Sequence, residues 1–358
     1  MKDSSVQNFL DWVYENVDES SKASLDTLDI NTQNSDGTLR GVVTVIPVLK
    51  GDKPFLTIPR KMLITDQMGK ETDWGKKVQQ YSDTSIPDNA FLTLYVLSTL
   101  DDPGNFHRPY YNIFPVNIGN IPLWTPVWKG DGQLLDDLIG TELYQLIKNR
   151  SNVLKKEYEL VKECLGVDFY TNYDYYDYLY IRLLVGSRNF FATIDGEDTS
   201  ILIPLVDMLN HDLPRQTKWE YTDEAQGVSL KAEVDLSGNT EIYDSYGLKE
   251  NNSYLLDYGF IMEDNRQVLN MACVKVQLED TTVTLHPNMI IPVNTAHALL
   301  QVCEEKLKTY KYPLDVVVER FNKARKYTNR RNVYFTVKTE QEIIHKIMER
   351  VHERHYIY

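Results

Sequence analysis

At 358 residues the chain exceeds the usual size of one compact core, so it holds about two domains or one domain with a large insertion. An apolar content of 42% and a charged content of 25% exclude a disordered chain. With 52 acidic against 38 basic residues, the net charge of −14 leaves no global footprint for DNA or RNA and suits a basic protein partner instead.

The N-terminal stretch "MKDSSVQNFLDWVYENVDES" carries charges throughout and lacks the apolar core of a signal peptide, so no export is expected. No membrane contact is expected either, because no later stretch approaches the ~20 uninterrupted apolar residues that span a bilayer. Cys164, Cys273 and Cys303 are scattered and odd in number. They fit a reducing compartment, cytosol or nucleus, and offer no paired cysteines for a zinc cluster, so no metal site is expected.

Along the chain, Phe9, Trp12, Val13 and Val17 recur at helical spacing behind a serine cap and predict an opening amphipathic helix. "RGVVTVIPVLKGDKPFLTIPRKMLIT" predicts strand, turn, strand, most simply a hairpin, with Gly41 beside a ligand as the alternative. From Pro87 to Val161 the pattern turns helical, in "DNAFLTLYVLSTL" and "LLDDLIGTELYQLIKNRSNVLKKEYELV", joined by an aromatic loop. "YYDYLYIRLLVGSRNFF" predicts a further helix leading into "PLVDMLNHD". A polar, turn-rich excursion to Gly238 follows, then alternating strands through "VLNMACVKVQLEDTTVTLH". Helices such as "TAHALLQVCEEKLKTY" and "QEIIHKIMERVHERH" close the chain.

The segment Pro204–Asp212 is mostly apolar, broken once by Asp207, and ends on Asn210, His211 and Asp212. Unpaired amide or imidazole groups inside a protein cost roughly 1–3 kcal/mol each. Those side chains are therefore bonded to one another and the backbone, or they face a ligand. Two tyrosine–glycine pairs follow in order: Tyr246-Gly247, then Asn251, then Tyr258-Gly259-Phe260. Glycine beside a phenol lets the backbone turn sharply and lets a ligand approach the ring.

"IPLVDMLNHD", "EIYDSYGLKENNSYLLDYGF" and "SRNFF" together resemble the SET-domain protein methyltransferases, in the class of the Rubisco large-subunit lysine methyltransferase and its relatives that modify non-histone proteins. The resemblance covers most of residues 5–265 and is looser beyond. It implies an α+β chain: a SET β-fold with a pseudoknot, interrupted by a helical insertion and followed by a mainly helical substrate-binding domain. The implied bounds are 1–86 and 186–265 for the two parts of the SET domain, 87–185 for the insertion and 266–358 for the C-terminal region.

The resemblance also implies S-adenosyl-L-methionine as cofactor. Leu39, Arg40 and Gly41 would supply backbone contacts to its methionine part, with Arg188 on the same side. The His211 backbone would read the adenine, and the Asn210 side chain would help to hold the amino-acid end. Tyr246 matches the family's essential tyrosine and would aim the acceptor nitrogen at the methyl group. Tyr258 would line the amine tunnel, with Trp219 and Tyr221 added to its wall. Where the family usually has serine before the asparagine of its YGxxSN motif, this chain has Glu250.

The implied reaction is methyl transfer to a lysine of a non-histone protein such as a ribosomal protein or translation factor, in the cytoplasm and also the nucleus. Two alternatives stand beside it: a histidine acceptor, and a non-catalytic protein that keeps the fold and binds a partner.

Overall fold

The computed structural model describes residues 4–31, 40–51, 53–81, 86–115, 121, 123, 133–223, 226–263, 274–326 and 328–355. It forms two compact units, one of Met1–Val116 with Lys155–Gly247, the other of Asn117–Leu154 with Leu248–Tyr358. Among the described residues no helix is long and apolar enough to cross a membrane.

The first unit opens with the expected helix, Ser4–Asn16, which buries Val6, Phe9, Trp12 and Val13 along one stripe. The segment expected as a hairpin is not one. Strand Gly41–Thr44 pairs antiparallel with Leu28–Asn31, whereas Leu56–Pro59 pairs antiparallel with Gly227–Ala232. Each strand instead finds its partner where it can bury its apolar side chains. Leu56 and Ile58 become fully buried opposite Leu230 and Val228.

A second departure lies in the polar excursion before Gly238, which contains two strands, Thr217–Thr222 and Gly227–Ala232, in register Trp219 to Leu230. Lys218 and Glu220 face solvent while Thr217 is buried, so the segment is a half-buried strand whose polar face masks its period. A third concerns "SRNFF". The helix capped by Asp174 runs only over Tyr175–Gly186, and Asn189–Ile194 is a strand that turns back through Asp195 and Gly196, both at positive φ, into Glu197–Leu202. Ile64–Thr65 completes that sheet.

From Ile201 to Leu209 the chain runs through the core, with nearly every apolar side chain buried. Leu205, at φ 74, breaks the extended run and starts the single turn Val206–Met208. Asn210–His211 then pairs in parallel with Tyr243–Asp244.

In the second unit the helix expected from Leu134 onward is interrupted at Gly140, where φ is +94 and a Cβ would lie 2.7 Å from the Thr309 carbonyl oxygen. Leu134–Asp137 is one turn, and Glu142–Leu165 is a long helix whose residues divide between the two units. Helix Asn251–Tyr258 ends on left-handed Gly259, the hairpin Val274–Leu278 with Thr281–Leu285 follows, and helices Ala296–Thr309, Leu314–Lys323 and Asn329–His355 complete the unit.

Glu340 lies fully buried on the last of these helices. The Tyr310 hydroxyl donates to its Oε2 at 2.8 Å and the Glu142 backbone N–H to its Oε1 at 3.3 Å. Burial outweighs both bonds and pushes its pKa from the ordinary 4.5 up to about 7. The folded state therefore binds the proton more tightly, so the stability gained is complete below 4.5 and is lost as the pH rises through about 7. Glu340→Gln should raise the unfolding midpoint above about pH 8 and flatten the pH dependence, an effect on the order of 3 kcal/mol. Thermal unfolding of both chains across that range measures it, and an unchanged slope would show that Glu340 does not set the pH dependence.

Candidate functional site

Three consecutive residues, 209 to 211, are tied to the segment 241–246. The Tyr246 hydroxyl donates to the Leu209 carbonyl at 2.7 Å, and the Tyr246 backbone N–H donates to His211 Nδ1 at 3.0 Å. Because Nδ1 accepts, a neutral His211 ring carries its proton on Nε2. The two rings stack with centroids 5.2 Å apart and planes at 29°. A phenol, an imidazole and a main-chain carbonyl are thereby locked in one orientation.

Asn210 is held from the other side. Its Nδ2 donates to the Arg40 carbonyl at 2.9 Å and to Glu241 Oε1 at 2.6 Å. Glu241 Oε2 accepts from the Tyr243 hydroxyl at 2.9 Å. Glu241 reaches this position because Gly41–Thr44 lies between Leu28–Asn31 and residues 240–242, with the Ile242 N–H on the Val42 carbonyl at 2.8 Å and the Thr44 N–H on the Thr240 carbonyl at 2.9 Å. A Cβ on Gly41 would fall 2.2 Å from Glu241 Oε1 and 3.0 Å from Asn210 Nδ2, so glycine is the residue that leaves room for this cluster.

Behind Asn210 lies a buried charge. Asp207 is fully buried, and its Oδ2 accepts from the Tyr110 hydroxyl. Arg188 donates from Nη1 to the Asp207 carbonyl at 2.8 Å and sits 3.9 Å from its carboxylate. Burial raises the Asp207 pKa, while Arg188 and the Tyr110 bond draw it back toward the ionised form. Arg40 donates from Nη1 to the Ile113 carbonyl at 2.5 Å; burial and then the like charge of Arg188 lower its pKa.

The structure thus gathers Arg40, Gly41, Arg188, Asn210, His211 and Tyr246 in the first unit. Leu39 lies outside the described residues. Trp219 packs edge-on against Phe190, centroids 5.1 Å apart, on the strand whose Thr217 hydroxyl donates to the Tyr243 carbonyl. Tyr258 belongs to the second unit, at the end of helix Asn251–Tyr258, its ring 6.1 Å from that of Phe260 and its phenol pushed up to about 12 by burial. Asn251, the motif asparagine, clamps Met262 through both its backbone N–H and carbonyl, at 3.0 and 3.1 Å, and Glu250 begins its helix as N-cap. Sequence reasoning missed Glu241, Tyr243 and Tyr110, and treated Asp207 only as a break in an apolar run. For Glu241 and Tyr243 a signal existed: they sit two apart, on one face of an extended segment leading to Tyr246.

No protein-family model matches the chain. It is 24% identical over 225 residues to the actin-histidine N-methyltransferase of Rhinolophus ferrumequinum, covering 61% of this chain and 37% of that protein. It is 27% identical over 221 residues to the ribosomal lysine N-methyltransferase set10 of Schizosaccharomyces pombe, covering 60% and 38%. To the protein-lysine N-methyltransferase EFM1 of Saccharomyces cerevisiae it is 21% identical over 262 residues, covering 61% and 44%. The matched parts thus span about two-fifths of those relatives' lengths. Among solved structures, the SET domain of LSMT bound to lysine and AdoHcy superposes with a TM-score of 0.76 at 13% identity, covering 98% of this chain and 92% of that one. Rubisco LSMT bound to sinefungin and monomethyllysine gives 0.77 at 13% identity, covering 99% and 93%. The chain therefore has the fold of the Rubisco LSMT SET-domain structures.

Proposed function

We propose that this chain is an S-adenosyl-L-methionine-dependent protein methyltransferase that modifies a lysine of a non-histone protein. The observation that carries the reading is the joining of Tyr246 to Leu209 and His211 by two hydrogen bonds and a ring stack, beside Asn210 and Arg188. The relatives' activities and the ligands of the structures with the same fold support it.

The residues suit such a cofactor. A zwitterionic amino-acid head needs cations for its carboxylate and acceptors for its ammonium, and Arg188, Arg40, the Arg40 carbonyl and Asn210 provide both kinds within one cluster. Gly41 keeps the backbone beside it free of a side chain. When bound, the cofactor supplies an electrophilic methyl group on a sulfonium. Tyr246 then orients the acceptor. Its proton is directed onto the Leu209 carbonyl, so what it turns toward an incoming amine is a fixed hydroxyl oxygen, and its contribution is aim. A free lysine, with pKa ~10.4, has to shed its proton before attack, and desolvation favours that neutral form.

The net charge of −14 supports a basic target, and a ribosomal protein or translation factor in the cytosol is the partner class we favour. By the resemblance, Tyr258, a phenol neutral at working pH, and Trp219 are the candidate substrate contacts. A histidine acceptor is the second reading, supported by the similarity to actin-histidine N-methyltransferase.

The direct test is to incubate the purified chain and isotopically labelled S-adenosylmethionine with extract from cells lacking it, and to map the label by mass spectrometry. Label on a lysine is expected. Label on histidine would establish the second reading, and no protein labelling would overturn both.

Two substitutions should separate aim from binding. Tyr246→Phe is expected to lower single-turnover methyl transfer at least ~100-fold while S-adenosylhomocysteine affinity stays within about twofold. Undiminished transfer would remove Tyr246 from its role. Asn210→Ala should weaken S-adenosylhomocysteine by about tenfold or more, read by calorimetry. Unchanged affinity would exclude Asn210 from the cofactor site.

A further inference from the structure

We propose that Glu241 is the anionic contact for the α-ammonium group of the amino-acid head bound beside Asn210, a role that no resemblance assigned and that rests on the cofactor reading above. Three observations lead to it. Among the described residues Glu241 makes no ion pair; its carboxylate takes one hydrogen bond from Asn210 and one from Tyr243, both neutral groups. Each carboxylate oxygen has further lone pairs, so the carboxylate can accept additional bonds without releasing either partner. Its charge is therefore held in place and left without a counter-charge.

The second observation is the complementary imbalance next to it. Arg188 is matched to Asp207, whereas Arg40 makes no ion pair among the described residues and donates to the Ile113 carbonyl. Asn210 links the Glu241 carboxylate to the main chain of Arg40, since its Nδ2 donates both to the Arg40 carbonyl and to that carboxylate, while the Arg40 guanidinium is turned to Ile113. A fixed, unmatched carboxylate on the Asn210 amide and an unmatched guanidinium on the residue whose carbonyl that amide also holds are charges of both signs, which a zwitterion answers. Neither a simple anion nor a simple cation would balance both.

The third is steric. Glycine at 41 leaves the space that Glu241 occupies: a Cβ would fall 2.2 Å from its Oε1, so any other residue would push the carboxylate off this position. The backbone is thus shaped around this carboxylate. Two neutral donors leave the carboxylate's charge unbalanced, and an ammonium would balance it.

The test compares two ligands on the full chain: S-adenosylhomocysteine and its deamino analogue, which lacks only the α-amino group. The parent chain should bind the analogue at least about tenfold more weakly. In Glu241→Gln, S-adenosylhomocysteine should weaken by about the same factor while the analogue stays within about twofold, closing the gap. Equal weakening of both ligands would make Glu241 a strut and overturn the proposal, as would unchanged affinity for both. Should Glu241→Gln lower the unfolding midpoint, Glu241→Asp keeps the charge and should keep a preference for the amino form; loss of that preference would also overturn it. Failure of the parent chain to bind S-adenosylhomocysteine would sink the cofactor reading itself, an outcome distinct from the others.

Discussion

Two residues on each of two segments, Asn210–His211 and Tyr243–Asp244, run in parallel, and the geometry of the first unit's site follows from that pairing. A parallel pair cannot be closed by a tight turn, so the intervening chain has to travel out and back. It does so through Thr217–Thr222 and Gly227–Ala232, which are anchored in turn by Leu56–Pro59. So short a pair has little stability of its own. Bonds around it compensate: the Asp212 N–H on the Asp244 carbonyl at 3.1 Å, the Thr217 hydroxyl on the Tyr243 carbonyl at 3.1 Å, and Tyr246 on both Leu209 and His211. The polar end of an otherwise apolar segment is tolerated because nearly every group in it has a partner across this seam.

Charge is handled by the same economy of position. A fully buried carboxylate such as Asp207 would neutralise itself unless a cation and hydrogen-bond donors hold it ionised. Arg188 and Tyr110 oppose the rise that burial causes, and the arrangement fixes Arg188 as well, because one of its nitrogens is committed to the Asp207 carbonyl. A guanidinium anchored from behind loses little entropy when it meets a ligand in front. Asp207 thus fixes where the Arg188 guanidinium sits.

How much of this was legible depended on the range over which each feature is encoded. The opening helix, the helix Asp88–Thr99 and the helix Ala296–Thr309 follow from local apolar spacing, and the sequence sufficed for them. The Asn210-His211 and Tyr246-Gly247 signals were legible as short motifs whose polar or glycine residues interrupt apolar runs. Strand partners were not legible. Nothing near "FLTIP" announces that its partner is "GVSLKA", since both are short and the choice is made by which pairing buries Leu56 and Ile58. Helix ends near "VGSRNFF" and "LIGTEL" were blurred for a related reason. Apolar content continues past the last helical residue, and only the glycines and the strand that follows reveal the boundary.

Glu241 shows the limit most clearly. One glutamate among 52 acidic residues is marked only by its spacing of two from Tyr243, which does not say what it faces. It becomes singular only when residues 240–242 lie against Gly41–Thr44, a contact between segments some two hundred positions apart, and only then does the glycine at 41 acquire a reason. A glycine in an apolar strand admits several explanations from sequence: a turn, a bulge, or close approach by backbone, side chain or ligand. The fold selects the side chain of Glu241, and with it the sign of the charge that Gly41 makes room for. The same reasoning explains why a resemblance could name Asn210 and Arg188 yet stay silent on Glu241. A motif names residues close together in sequence, whereas the contact of Glu241 with Asn210 and Gly41 is visible only once distant segments are assembled.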